Sequence, residues 1–152
     1  MDVFDFVFVV CAVAFNLLIA GVLIATKRER LELRKALGTA FVSLGIPFAV
    51  VFVHYVLAGR DLEALVPFGF VLLYIAVELI LDYVLKVDFR HKPITHVPYI
   101  VLEYLALFSL IEIAFSIDRT AGWIVSLTFW AVMGSLIYLY WGTNRQKSRT
   151  SR

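Results

Sequence analysis

The chain has 152 residues, of which 62% are hydrophobic, 15% aromatic and 17% charged, and its mean hydropathy is +0.89. Soluble domains run about 45–50% apolar and about 25% charged, so too few charges remain here to coat a water-soluble enzyme, and the apolar content excludes disorder. Lys+Arg is 14 and Asp+Glu is 12, a net of +2; the total says little and the distribution says more.

A hydrocarbon core of about 30 Å needs about 20 apolar residues in a helix that crosses it. Five such runs occur in order: Val3–Thr26, Ala36–Ala58, Ala64–Leu85, Tyr99–Ile117 and Gly122–Trp141. Short polar connectors separate them, and a basic tail, 143–152, follows. The fold class expected is all-α: a polytopic integral membrane protein, one domain over 1–142, with five transmembrane helices packed as antiparallel neighbours. The first run has Asp2 and Asp5 at its start, and its positive charges follow it. That is the reverse of a cleaved signal peptide.

Orientation follows from Lys and Arg. The connector after the first span holds Lys27, Arg28, Arg30, Arg34 and Lys35; that after the third holds Lys86, Arg90 and Lys92; the tail holds Arg145, Lys147, Arg149 and Arg152. The other side has Arg60 and Arg119 beside Asp2, Asp5, Asp61, Glu63 and Asp118. The N-terminus is therefore expected outside and the C-terminus in the cytoplasm, in a plasma membrane. The basic residues Lys27, Arg28, Arg30, Arg34, Lys35, Arg90 and Lys92 are candidates for anionic lipid headgroups. Tyr83, Tyr99, Tyr104, Trp123, Tyr138, Tyr140 and Trp141 suit an aromatic belt at the two interfaces.

Polar residues inside the spans are the candidate sites, since an intramembrane charge is costly. On the first span, Asn16 shares a face with Asp5 and reads as interhelical glue rather than a ligand. On the second, Ala36, Ser43, Pro47 and His54 share a face, and Gly45 and Pro47 are expected to bend the helix. On the third, Tyr74, Glu78, Asp82 and Lys86 recur every four residues and form one stripe. On the fourth, Glu103 is expected at the depth of Asp82, below His91 and His96. Asp82 and Glu103 could ligate a cation there, but the spacing matches no metal motif, and an ion-pair network with Arg90 and Lys92 explains them more simply. Glu112 lies with Ser109 and Ser116, and a His54–Glu112 pair is the most economical way to satisfy both residues. On the fifth, Thr128, Ser135 and Tyr138 line one stripe beside Gly134, a pattern that suits close helix packing.

One cysteine, Cys11, sits in an apolar run and reads as a packed hydrophobe. No hydrolase, metalloprotease, nucleotide-binding or potassium-filter motif is present. No cofactor and no nucleic-acid partner is expected. Three function classes stay open. The first is a non-catalytic membrane subunit or scaffold, alone or as a homo-oligomer or with a membrane partner protein. The second is an oligomeric proton or cation channel or transporter, with Glu78 and Glu112 on one polar path. The third is an intramembrane enzyme on a lipid or isoprenoid, using Glu78, Asp82 and Glu103 beside an apolar cavity.

Overall fold

Asp2 starts the first helix by a reciprocal cap. Its carboxylate accepts from the Asp5 backbone N–H at 2.7 Å, and the Asp5 side chain accepts from the Asp2 N–H at 3.1 Å. In the computed structural model, which describes residues 1–84 and 93–141 without the side chains of 82–84 and 93–96, the chain then forms α1 (Val3–Lys27), α2 (Leu31–Ser43), α3 (Gly45–Leu57), α4 (Leu62–Glu78), a π-helical segment (Leu79–Val84), α5 (Pro93–Ile117) and α6 (Arg119–Trp141). Among the described residues there is no strand. Five helices are long and apolar enough to cross a membrane: Val3–Lys27, Leu31–Leu57, Leu62–Leu81, Val97–Ile117 and Arg119–Trp141.

The boundaries differ from the sequence expectation in four places. The basic connector after α1 is mostly helix, because Leu31, Glu32, Leu33, Arg34 and Lys35 are good helix formers; only Arg28–Arg30 remains as a turn. The second span is two helices broken at Leu44, whose N–H turns tightly to the Phe41 carbonyl at 3.1 Å. Pro47 has no N–H to give Ser43 and sits in the first turn of α3, where none is needed. Past Glu78 the α4 ladder loosens to π, so the four-residue stripe expected through Asp82 loses its register. Finally, α5 starts at Pro93, with Pro98 inside it, rather than at Tyr99.

α1 packs against α2, α3, α5 and α6, while α4 lies between α3 and α5. The first and last helices touch, so sequence neighbours close into a ring. α1 buries Phe8, Ala12, Phe15, Asn16 and Ile19 at helical spacing, and Cys11 is buried with them, as expected. The rings of Phe8, Phe15, Phe48 and Phe68 are fully buried and meet edge-on or tilted. Phe8 lies 5.3 Å from Phe68 and 5.9 Å from Phe48, and Phe15 lies 6.1 Å from Phe48 and 5.9 Å from Tyr74. These are favourable aromatic geometries.

Candidate functional site

The aromatic column separates two polar clusters. At one end is Asp5, 6% exposed. Its Oδ1 accepts from the Tyr55 hydroxyl and from Arg60 Nη2, both at 2.8 Å. The turn after α3 sets this up. Gly59 takes φ +67°, its N–H donates to Val56, and the Arg60 N–H donates back to Tyr55. This is a Schellman turn, which brings the residue after the glycine over the last helical turn. The Arg60 guanidinium accordingly lies 4.5 Å from the Tyr55 ring centre and reaches Asp5. Gly59 carried the signal for this triad in the sequence, which otherwise left Arg60 as one of two minority cations.

His54 belongs to the same end. It stacks on Phe4 at 3.7 Å, and its Nε2 lies 3.9 Å from Asp2 Oδ2. The expected His54–Glu112 pair does not form. α3 presents His54 to the start of α1, whereas Glu112 is exposed on the outer face of α5. Its neighbours on that face, Phe108 and Phe115, are 57% and 41% exposed. No described residue pairs with Glu112. Ser109 is buried and does not share this face, and Ser116 donates to its own helix at Ile113.

The second cluster joins α4 and α5. The hydroxyls of Tyr74 and Tyr99 lie 2.9 Å apart, and Tyr99 donates to Glu78. Glu103 lies one turn beyond Tyr99 on α5. The α4–α5 contact thus brings Tyr74, Tyr99 and Glu78 together, while the expected approach of Asp82 to Glu103 falls outside the described residues. The side chains of Asp82 and His96, and all of Lys86, His91, Arg90, Lys92 and the 143–152 tail, lie outside the described residues. Among the described residues, no three His, Cys, Asp or Glu side chains converge as a metal site would require.

Asn16 bridges α1 and α6. Its Nδ2 donates to the Val125 carbonyl at 3.2 Å and to Thr128 Oγ1 at 2.8 Å, while its buried Oδ1 has no partner. The Thr128–Ser135–Tyr138 stripe faces α1 throughout. Thr128 meets Asn16, Ser135 is buried, and Tyr138 takes the Lys27 ammonium over its ring at 3.8 Å. Arg28, Arg30 and Lys35 are exposed at that end and Arg34 is half-buried.

Two apolar grooves open on the sides of the bundle. One, of about 610 Å³, runs between α1 and α6. The other, of about 550 Å³, lies where the α2–α3 break faces α4, between Ser43, Gly45, Ile46, Leu72 and Ile75. Neither Glu78 nor Glu103 lines either groove. No protein-family model matches the chain, and comparison with curated proteins and with solved structures gives no match.

Proposed function

We propose that this chain is a non-catalytic subunit of a membrane assembly, docked through the outer face of α5. It lies in the plasma membrane with its N-terminus outside and its C-terminus in the cytoplasm. Lys27, Arg28, Arg30, Arg34 and Lys35 at one end, against Asp2, Asp5, Asp61 and Glu63 at the other, support that orientation.

The observation that carries the reading is the exposure of Glu112. It lies five residues from the end of α5, about 8 Å in at 1.5 Å per residue. A carboxylate on a lipid-facing surface costs up to about 2.5–3.5 kcal/mol at mid-helix. A partner helix that brings a cation or hydrogen-bond donor between Phe108 and Phe115 removes that cost. The interior supports the same reading. Between the Glu78 cluster and the Asp5 cluster stand the buried rings of Phe15, Phe48, Phe8 and Phe68, which argue against a polar path through one copy. Among the described residues, neither Glu78 nor Glu103 lines either of the two side grooves.

One observation favours a second reading. An outward Glu112 repeated around a ring of copies would line a path between subunits, so an oligomeric proton or cation channel remains the alternative. Photo-crosslinking residues at Phe108 and Phe115, with Val50 on α3 as control, separate the two. Crosslinks to a different membrane polypeptide that weaken in Glu112→Gln support the subunit reading. Crosslinks between copies, with cation or proton flux in liposomes that Glu112→Gln abolishes, support the channel. A monomer crosslinked only to lipid overturns both.

A further inference from the structure

The groove between α1 and α6 is closed by polar contacts at both ends. At the inner end, Asn16 donates across to Val125 and Thr128. At the other, Lys27 reaches over the Tyr138 ring and donates to its carbonyl. Between them the walls are Leu17, Ala20, Gly21, Ile24, Ala131 and Gly134, with Arg28 at the mouth. Small residues on both helices leave the space open: a Cβ added at Gly134 would meet nothing within 4 Å.

Two features select the occupant. The first is length. Asn16 and Lys27 are eleven residues apart on α1, about 16 Å at 1.5 Å per residue. That is about half of a 30 Å hydrocarbon core, the depth of one leaflet. A transmembrane helix seated there would need a seam that ran on past the midplane, whereas this one stops at Asn16. An acyl chain ends where the groove ends. The second feature is charge. Arg28 lines the mouth, and Lys27 reaches over Tyr138, which lines it too; the segment from Lys27 to Lys35 carries five positive charges against Glu29 and Glu32, an excess of three. The described residues give Arg28 no carboxylate partner.

We infer that the α1–α6 groove binds one anionic phospholipid, with an acyl chain between Gly21 and Gly134 and the headgroup phosphate at Arg28 beside Lys27. Arginine and lysine recognise phosphate by charge-assisted hydrogen bonds. The Lys27–Tyr138 contact presents that cation where the chain emerges. The inference rests on the membrane insertion proposed above, but not on the α5 docking face.

The test uses the full chain in vesicles of palmitoyl-oleoyl phosphatidylglycerol mixed equally with the phosphatidylcholine of the same chains. Flotation of the vesicles checks membrane insertion first, and native mass spectrometry after gentle extraction then reads bound lipid. The expected result is one retained lipid, with phosphatidylglycerol preferred by roughly tenfold. Gly134→Leu, whose Cβ meets nothing within 4 Å and whose branches occupy the groove, should remove the adduct whichever lipid is present. Arg28→Gln should keep an adduct and bring the preference close to one. Circular dichroism and thermal melting confirm that both variants are folded. Protein that does not float would overturn the insertion reading, and this inference with it. Protein that floats, yet binds both lipids equally or keeps its adduct in Gly134→Leu, overturns this inference alone. So does a dimer mass that disappears in Gly134→Leu, which would give the groove to a helix.

Discussion

The Arg60 guanidinium lies 2.8 Å from the Asp5 carboxylate, fifty-five residues away in sequence, with the Tyr55 hydroxyl on the same oxygen. This contact ties the start of α1 to the end of α3. Asp5 is almost fully buried and Arg60 is about one-third exposed, so the pair is partly shielded from solvent. Arg60→Ala leaves the carboxylate with Tyr55 alone and should cost about 2–3 kcal/mol, the range of hydrogen bonds to charged groups. Tyr55→Phe, which keeps the ring, should cost about 1.5 kcal/mol. Asp5→Asn combined with Arg60→Ala should lose less than the sum of the two single variants. Thermal unfolding in detergent of wild type, Asp5→Asn, Arg60→Ala, their double variant and Tyr55→Phe measures these losses, and additivity of Asp5→Asn and Arg60→Ala would show that the two residues are not coupled.

The turns after α1 and α3 share one geometry but place different residues at its left-handed position. After α1, Arg30 N–H donates to Ala25 and Glu29 N–H to Thr26; after α3, Arg60 donates to Tyr55 and Gly59 to Val56. The left-handed position is Gly59 in one turn, at φ +67°, and Glu29 in the other, at φ 54°. Glycine enters that region without the side-chain clash glutamate suffers. Glu29→Gly should therefore stabilise by about 0.5–1 kcal/mol, and Gly59→Ala should destabilise by about 1 kcal/mol. A shift of the melting temperature in the same direction for both variants would contradict this account.

The helices were legible in the sequence because each span is a long apolar run, and hydropathy needs no knowledge of neighbours. Connector lengths gave the neighbour order in the same way. Asn16 and the Thr128 stripe were legible because small and amide residues in an apolar helix have few uses other than packing. Gly45 and Pro47 signal a bend in the second span, which the structure makes as a full break at Leu44 beside them. What escaped was pairing. His54 and Glu112 were matched because both needed a partner, but need does not fix direction: α3 turns His54 to Phe4 and α5 turns Glu112 outward. The Asp5–Arg60 contact was missed because Arg60 counted as a loop charge, although Gly59 just before it marks a turn that folds the next side chain back. The π segment after Glu78 left no mark in the hydropathy pattern, since it changes hydrogen bonding rather than composition.

Gly122 of α6 lies close against the Phe115 ring of α5. A Cβ built there would fall 2.3 Å from the Phe115 ring, closer than any real contact, while that ring also meets Trp123 edge-on at 5.8 Å. Gly122→Ala must push Phe115 aside and should cost about 1–3 kcal/mol, as overpacking does. Because Phe115 is 41% exposed, the ring has somewhere to go, and the lower half of that range is expected. Phe115→Ala should absorb most of the cost when combined with Gly122→Ala. A double-mutant cycle without coupling would show that the glycine is there for another reason.

Asn16 sets a donor against an orphan. Its amide nitrogen gives two hydrogen bonds to α6, and its carbonyl oxygen has none. Interhelical hydrogen bonds in membranes are worth about 0.6–2 kcal/mol, and an unsatisfied buried acceptor costs about 1–3 kcal/mol. Asn16→Leu removes both and should shift stability by less than about 1 kcal/mol. Asn16→Asp keeps the size, turns an acceptor toward the Val125 carbonyl and adds a charge. It should lose about 3 kcal/mol, near the insertion cost of a central aspartate. Equal losses in the two variants would show that shape, not polarity, fixes this position.

Asp118 opens α6. Its carboxylate accepts from the backbone N–H groups of Ala121 at 3.2 Å and Thr120 at 2.8 Å. These bonds hold its pKa below the ordinary aspartate value by favouring the ionised form, as a capping position at a helix N-terminus does. A carboxyl whose pKa is lower folded than unfolded adds stability above the unfolded value and loses it as pH falls through the folded one. Its share is therefore complete above the unfolded value of about 3.9 and fades below it. Asp118→Asn keeps an acceptor but has no proton to bind, so it forgoes that increment at neutral pH and is spared its loss in acid. Melting curves of both proteins from about pH 6 to pH 3 should start with wild type the more stable and then converge. A gap that stays constant, or widens in acid, would mean that the charge on Asp118 does not contribute to the cap.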